Sequence, residues 1–550
     1  MSAQKNAVEM LLHWAKERPN QPWLFQPIDG VWHTTTWAQA EAQVRSMATA
    51  LRKLGLAEGD RVAISGRNTA HWFLADLACG LAGLVSVGLY PKQAPEAVTY
   101  ILKHSGTKAV FLGPMPDIDE FVGAMPKGLI TIGFPYPGTP AAEHAWDDLV
   151  KAHEPFTGYV PPSPDALSTL VYTSGTTGNP KGVMLTHGNA LFAADGLMKA
   201  LPSQGNERFF SYLPLAHAFE RGAVEMSSLY FGAEVHFLEN LDKLAEQLPA
   251  VGPTRFFGVP LVYSRMQAGI LKKMPQEKLD RLLKLPIISS LVKKKIKKGL
   301  GLHNARYCIV GAAAMPIPLM QWFEKLGVTI LQGYGMTENS IYATVNRPGA
   351  NRLGSVGKEM PGANLKIAED GEILFQHPGV MKGYYLEEEK TRETFTGDGY
   401  LRTGDRGYVD KDGYLFITGR VKDIFKTLKG KYVAPAPIEG ALMRNPDIDQ
   451  LCFVGSGLKQ PIMLVSLNAA GRAKSKAQVE KELAADMDAV NATLEPHEEI
   501  AKIVLVKDTW TIDNGIMTPT MKVKRNEVER RYLPLIEKEA GVRSKIGWEA

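Results

Sequence analysis

Residues Leu170–Asn189 read LVYTSGTTGNPKGVMLTHGN. An apolar run enters a loop with three glycines, Gly175, Gly178 and Gly182. Hydroxyls stand among them on Thr173, Ser174, Thr176 and Thr177, and Lys181 follows. A loop of this composition turns its backbone N–H groups inward as an anion nest and adds hydroxyl donors. It is not a Walker A loop, because no GK[ST] follows at the required spacing. Turn chemistry alone fits a flexible surface loop rich in Gly, Ser and Thr equally well.

Upstream of this stretch, helical and extended patterns alternate. Trp37–Leu54 has apolar positions at helical spacing and Gly55 stops it; Asp60–Ser65 reads as a short strand. Asn68–Leu84 resumes a helix and Val85–Leu89 a strand. Phe156–Asp165 (FTGYVPPSPD) is a Pro-rich connector into the quoted stretch. Alternation at this pitch predicts an α/β fold with a mostly parallel sheet flanked by helices. The texture changes after Gly407. Tyr408–Asp412 and Tyr414–Thr418 read as a hairpin, and Gly419–Asp423 (GRVKD) as a polar connector. Helix Pro437–Arg444, strands Leu451–Val454 and Ile462–Leu467, and helix Lys476–Leu494 follow. That pattern predicts a small α+β unit, with a boundary near Arg420–Lys422. The expected division is residues 1–420 as a large N-terminal domain of layered sheets and 421–550 as a small C-terminal domain.

The chain has 550 residues, 45% hydrophobic and 22% charged, ordinary globular values. Its three cysteines, Cys79, Cys308 and Cys452, are far apart. That spacing argues against a disulfide framework or structural zinc and fits a reducing, cytoplasmic setting. The N-terminus shows no basic region followed by an apolar one, so no signal peptide is expected. No segment offers the roughly 20 apolar residues of a spanning helix. Net charge is only +5, but Leu271–Leu300 holds ten Lys or Arg against two acidic residues. In that segment Leu282, Leu283, Leu285, Ile287 and Ile288 interleave with the charges, as interfacial helices require. Pro275 and Pro286 divide it. It reads either as a solvated helical excursion or as a contact for an anionic membrane surface or the phosphates of a cofactor.

Further motifs follow in order. Leu213–Arg221 reads LPLAHAFER, Gly311–Pro316 GAAAMP, Gln332–Asn339 QGYGMTEN and Tyr400–Gly407 YLRTGDRG. Beyond these lie Arg420 in TGR, Thr427–Glu439 (TLKGKYVAPAPIE) and Thr518–Arg525 (TPTMKVKR). Taken singly, most have plain explanations: a capped strand-to-helix turn, a turn aspartate, a core histidine, a solvated boundary arginine, a basic loop. Together with the Gly-rich loop, this order resembles the adenylate-forming superfamily, which includes acyl-CoA synthetases, luciferase-like enzymes and adenylation domains. The match runs from about Trp37 to Leu533.

The resemblance implies a role for each motif. The loop Thr173–Lys181 would hold the β- and γ-phosphates of ATP. Gly311, Ala312 and Ala313 would let backbone approach the adenine, with Gln332, Gly333, Tyr334 and Gly335 on its other side. Thr337 would touch phosphate and Glu338 would contact Mg²⁺, a hard cation suited to carboxylate oxygen. Asp405 would accept both ribose hydroxyls, as an acceptor-only carboxylate can. Arg420 would lie near ribose and phosphate, and His217 beside the acid. Alignment on the family spacing selects Lys522 as the catalytic lysine that neutralises developing charge. Met521 departs from the family's usual glycine there, and Lys524 is a nearby competitor. Lys422 falls at the hinge of a mobile C-terminal domain, and Gly430 on the loop that lines the coenzyme A channel.

LPLAHAFER, the GKYVAP-type loop and Ile512–Arg525 resemble the long-chain fatty acyl-CoA synthetase branch. The activity implied is ATP-dependent ligation of a medium- or long-chain fatty acid to coenzyme A through an acyl-adenylate. Alternatives left open are an aryl or short acid, a carrier-protein acceptor, and an inactive nucleotide-binding homologue. Peripheral membrane contact through residues 271–300 and a homodimer are further expectations; nucleic acid is not an expected partner.

Overall fold

The computed structural model describes residues 5–173, 179–518 and 522–549. Two large sheets precede residue 420. One has eight strands in the order Gly383–Tyr384, Lys181–Thr186, Leu167–Thr173, Val85–Leu89, Arg61–Ser65, Thr107–Leu112, Ile130–Gly133 and His144–Ala145. It is parallel from Leu167–Thr173 outward and antiparallel at the other edge. The second has nine strands, parallel through its centre and antiparallel at both ends. Val85–Leu89 is buried along its whole length, as expected of a parallel strand covered on both faces.

Helix Ala70–Leu81 lies between the sheets. It packs on Arg61–Ser65 and Val85–Leu89 of one and on Pro22–Ile28 of the other. Phe73 meets Phe237 edge-on with ring centroids 5.1 Å apart. Ten of its twelve residues are buried, so the helix is apolar nearly all round, as an inter-layer position demands. Helix Trp37–Lys53 packs against Ala70–Leu81. Thr36 and Gln39 form a capping box at its start. Trp37 is fully buried and stacks on Trp23 with centroids 4.3 Å apart.

Three expected boundaries need correction. Helix Asn68–Leu84 is shorter, Ala70–Leu81. The hairpin's first strand is not Tyr408–Asp412 but Leu401–Val409, paired with Leu415–Arg420 in a four-stranded antiparallel sheet. Gly404 and Gly407 break its alternation, and the register shifts between Arg406 and Gly407; glycines in a strand mark such irregularities. Helix Pro435–Leu442 also begins earlier than expected, because proline suits the first helical turn.

After residue 420 come the hairpin Phe425–Lys426/Tyr432–Val433 and a four-stranded sheet of Ile448–Val454, Ile462–Leu467, Lys502–Val506 and Ile546–Trp548. The apolar clusters of this region contain no side chain from before residue 420, and those of the first region none from after it. All three cysteines are buried free thiols. No helix among the described residues is long and apolar enough to cross a membrane.

Candidate active site

Strands Tyr307–Val310 and Ile330–Tyr334 are parallel neighbours, with Val310 opposite Gln332. The loops leaving their C-terminal ends therefore lie side by side, the usual place for a ligand in an α/β sheet. The first loop holds Gly311, Ala312 and Ala313. Gly311 N donates to Gly258 O at 3.3 Å, and Ala312 has a left-handed φ of +66°. The second carries the turn Thr337–Asn339, after which Ser340 and Ile341 are both left-handed, at +55° and +57°. A left-handed isoleucine is a strained conformer. Gly335 permits it: a side chain there would stand 2.3 Å from the Ile341 carbonyl. Thr337 and Glu338 are buried.

Tyr334 Oη donates to Asp405 Oδ2 at 2.6 Å. Arg420 lies opposite Asp405 across the antiparallel ladder and places Nε 3.1 Å from Oδ1. The boundary arginine is thus paired, not free in solvent. Burial pulls its guanidinium down, but Asp405 and Asp423 offset this, and the net shift is upward. Each Asp405 oxygen keeps a second lone pair, so a vicinal diol fits there. Gln332 Oε1 and Asn339 Nδ2 are buried with no hydrogen-bond partner among the described residues, which leaves polar capacity for a nucleotide.

Lys181 lies opposite Thr173 in the adjacent hairpin. Ser174, Gly175, Thr176, Thr177 and Gly178 lie outside the described residues. Lys181 Nζ stands 4.6 Å from the centroid of the Tyr384 ring, whose hydroxyl donates to Glu338 Oε1 at 2.8 Å. Tyr384 thereby joins the lysine of one motif to the carboxylate of another. No motif in the sequence marked it. Burial, then the Lys390 charge, lowers the Lys181 ammonium from its usual value. Among the described residues no cluster of three His, Cys, Asp or Glu exists that would cage a metal. A single carboxylate suits Mg²⁺ that arrives on phosphates.

His217 caps the short helix Ala218–Glu220: its Nδ1 accepts from Phe219 N at 3.1 Å. That acceptor role places the ring proton on Nε2. Burial, assisted by the Lys522 charge, lowers its pKa to about 4, so the ring is neutral at pH 7. Beneath it lies a buried polar network that sequence reasoning did not find. Arg221 donates to Thr169, Ser86 and Asp76. Glu220 accepts from Ser211 Oγ at 2.8 Å and Tyr212 N at 3.0 Å, while burial pushes it up to about 8. The network fixes the start of the segment that carries His217.

Lys522 belongs to the region after residue 420. Thr518 N donates to Lys522 O at 2.8 Å and Lys522 N to Thr518 Oγ1 at 3.0 Å, beside an antiparallel bridge between Met517 and Val523. The lysine is open to water, and charged groups before residue 420 act on its ammonium. Burial, then the Arg420 charge, lowers its pKa, and Asp405 and Glu338 act in the opposite sense. Those interactions and the one with His217 join five sequence-predicted residues. Lys524 instead occupies the N-cap of helix Arg525–Ala540. Lys92 Nζ to Asp513 Oδ2, at 2.9 Å, is a second bridge between the regions. Gly430 is not part of the cluster. It sits on an exposed turn, φ +77°, where its N–H donates to Thr427 O at 2.8 Å.

Residues 11–385 match the AMP-binding enzyme family, and residues 422–539 match the AMP-binding enzyme C-terminal domain. The chain belongs to the AMP-binding enzymes. Among curated family members, the long-chain-fatty-acid–CoA ligase FadD15 of Mycobacterium bovis is 32% identical, covering 97% of this chain and 96% of that one. The peroxisomal long chain acyl-CoA synthetase 7 of Arabidopsis thaliana is 30% identical, covering 92% and 82%. The crystal structure of the anthranilate CoA ligase AuaEII with anthranoyl-AMP superposes with a TM-score of 0.79 at 24% identity, covering 96% of this chain and 98% of that one. That last likeness speaks to the fold, which is the adenylate-forming one.

Proposed function

We propose that this AMP-binding enzyme activates a medium- or long-chain fatty acid with ATP and transfers the acyl group to coenzyme A. The observation that carries this reading is Asp405, bonded to Tyr334 and paired with Arg420, with Lys522 within electrostatic reach of this group. The family relatives, long-chain ligases over nearly their whole length, support the choice of acid and acceptor.

In the first step a carboxylate oxygen of the acid attacks the α-phosphorus of ATP, and pyrophosphate leaves. Asp405 and Tyr334 hold the ribose and adenine, with Gly311–Ala313 and Gln332–Gly335 as the walls of the adenine slot. The loop Thr173–Lys181 holds the leaving phosphates. Thr337 touches phosphate. Glu338 is the residue that would hold Mg²⁺, which supplies charge neutralisation there. Lys522 stabilises charge that develops as the phosphorus is attacked. His217, neutral and carrying its proton on Nε2, donates to the acid rather than taking its proton. Most of the rate enhancement is positioning and electrostatics, as in other phosphoryl chemistry.

In the second step the thiol of coenzyme A attacks the acyl carbonyl, and AMP leaves. The chain divides into domains 1–420 and 421–550, and the second turns about Lys422 to withdraw Lys522 and deliver the Gly430 loop. Separate apolar cores on the two sides support that division. The enzyme works in the cytoplasm, in peripheral contact with membrane, as a homodimer.

The test is AMP and thioester formation from ATP, coenzyme A and a panel of acetate, octanoate, palmitate and benzoate. Octanoyl- or palmitoyl-CoA in excess over the others is the expected result. Pyrophosphate release with no acyl-CoA from any acid would move the acceptor to a carrier protein. Benzoyl-CoA as the main product would replace the fatty acid.

A further inference from the structure

Three helices, Pro260–Lys273, Gln276–Leu283 and Pro286–Gly299, are inserted between strands Arg255–Gly258 and Tyr307–Val310. They form the connection that leads into the Gly311 loop. Their inner faces are satisfied. Tyr263, Leu279, Ile296 and Leu300 are buried in the apolar cluster beneath, with Val292 against it. The outer face of the last helix is not satisfied. Leu285 is 48% exposed, Ile287 81%, Ile288 40% and Leu291 64%. Single exposed apolar side chains are normal on a protein surface, but four within seven residues form a patch.

The same outer face becomes cationic within a turn. Ile287, Leu291, Lys294 and Lys298 follow one another at three- and four-residue spacing, so they share one side of the helix. Lys284, Lys294, Lys295 and Lys298 are exposed, and none has an ion-pair partner among the described residues. The helix thus presents an apolar first turn and a collar of free ammonium groups behind it.

We propose that this face docks on an anionic lipid bilayer, with Leu285, Ile287, Ile288 and Leu291 entering the headgroup boundary and the lysines pairing with lipid phosphates. An acidic protein or a nucleic acid would satisfy the lysines and leave Ile287 and Leu291 in water. A bilayer interface accepts both, because apolar side chains insert at the acyl boundary while ammonium groups stay with the phosphates. The proposal deepens the peripheral contact named above, and it rests on the ligase reading for its purpose: long acids partition into lipid, and the docked helices connect directly to a strand that leads to the site.

The test is co-sedimentation of the full chain with vesicles of phosphatidylcholine, with and without phosphatidylglycerol. Wild type is expected to partition at least about tenfold better onto the anionic vesicles, and to lose this in high salt. The triple variant Lys294→Glu, Lys295→Glu, Lys298→Glu should lose about 100-fold in partitioning. The variant Ile287→Ser, Leu291→Ser should lose about tenfold while keeping the lysines. Wild type that ignores the anionic vesicles overturns the proposal, as do variants that bind as wild type does. Loss in the lysine variant alone points to a polyanion and also overturns it. Octanoyl-CoA formation without vesicles, measured on all three proteins, reports separately on the ligase reading and should be equal among them.

Discussion

Lys522 and Gly430 both follow residue 420 and both are exposed, yet one is within electrostatic reach of Asp405 and Arg420 while the other bonds within its own hairpin. Lys522 shares two hydrogen bonds with Thr518, and the Lys92–Asp513 bridge ties the second region to the larger one. Gly430 meets Thr427 and Lys426 of its own hairpin. A single arrangement that serves both half-reactions would need both residues at the site. If Lys522 serves adenylation and Gly430 the coenzyme A step, as proposed above, this geometry suits the first half-reaction and the second needs another arrangement. Hinges of this kind absorb a large change in a few residues that need not touch substrate.

The contrast can be broken most directly at the lysine. Lys522→Ala should slow adenylation by about 10²–10³-fold, the usual cost of a lost transition-state donor. It should still convert pre-made acyl-adenylate and coenzyme A to product at near the wild-type rate. Pyrophosphate exchange and the isolated second half-reaction measure the two, and equal loss in both would sink the assignment. Gly430→Val sharpens the other side. Its φ of +77° is strained for a β-branched residue by about 1–3 kcal/mol. Thioester formation from pre-made acyl-adenylate should slow by about tenfold or more, with pyrophosphate exchange unchanged. The smallest effect belongs to Lys92→Glu. Lys92 and Asp513 are both well exposed, and such pairs contribute less than about 1 kcal/mol. Adenylation should slow by no more than about fivefold at low salt, and the deficit should shrink as salt screens the charges. A deficit confined to thioester formation would show that the bridge does not belong to the adenylation geometry.

Much of the site was legible because its chemistry is written in short local runs. The Gly-rich loop, QGYGMTEN and YLRTGDRG each place a donor, acceptor or carboxylate within a few residues of a strand end. What escaped was whatever depends on partners distant in sequence. Tyr384 gains its meaning from Lys181 and Glu338 across three elements. The resemblance places Arg420 near the ribose, but its pairing with Asp405 shows only in the ladder that sets the two opposite each other. The strand Leu401–Val409 was hidden by its own glycines, since periodicity fails where a strand is irregular. Glu220 and Arg221 stand in LPLAHAFER, but their partners Ser211 and Asp76 carried no motif, and burial made the network.

The sequence by itself determined the fold class, the family, and the residue types that can bind a nucleotide and stabilise an acyl transfer. These follow from hydrophobic periodicity and from motifs whose spacing is local. Only the tertiary structure decided that Lys522 comes within electrostatic reach of Asp405, Arg420 and Glu338, and that the lysines of the inserted helices share a face with exposed apolar residues. Lys522 and His217 lie roughly three hundred residues apart, on regions with separate apolar cores. Their meeting depends on how those two regions pack, which no local pattern encodes.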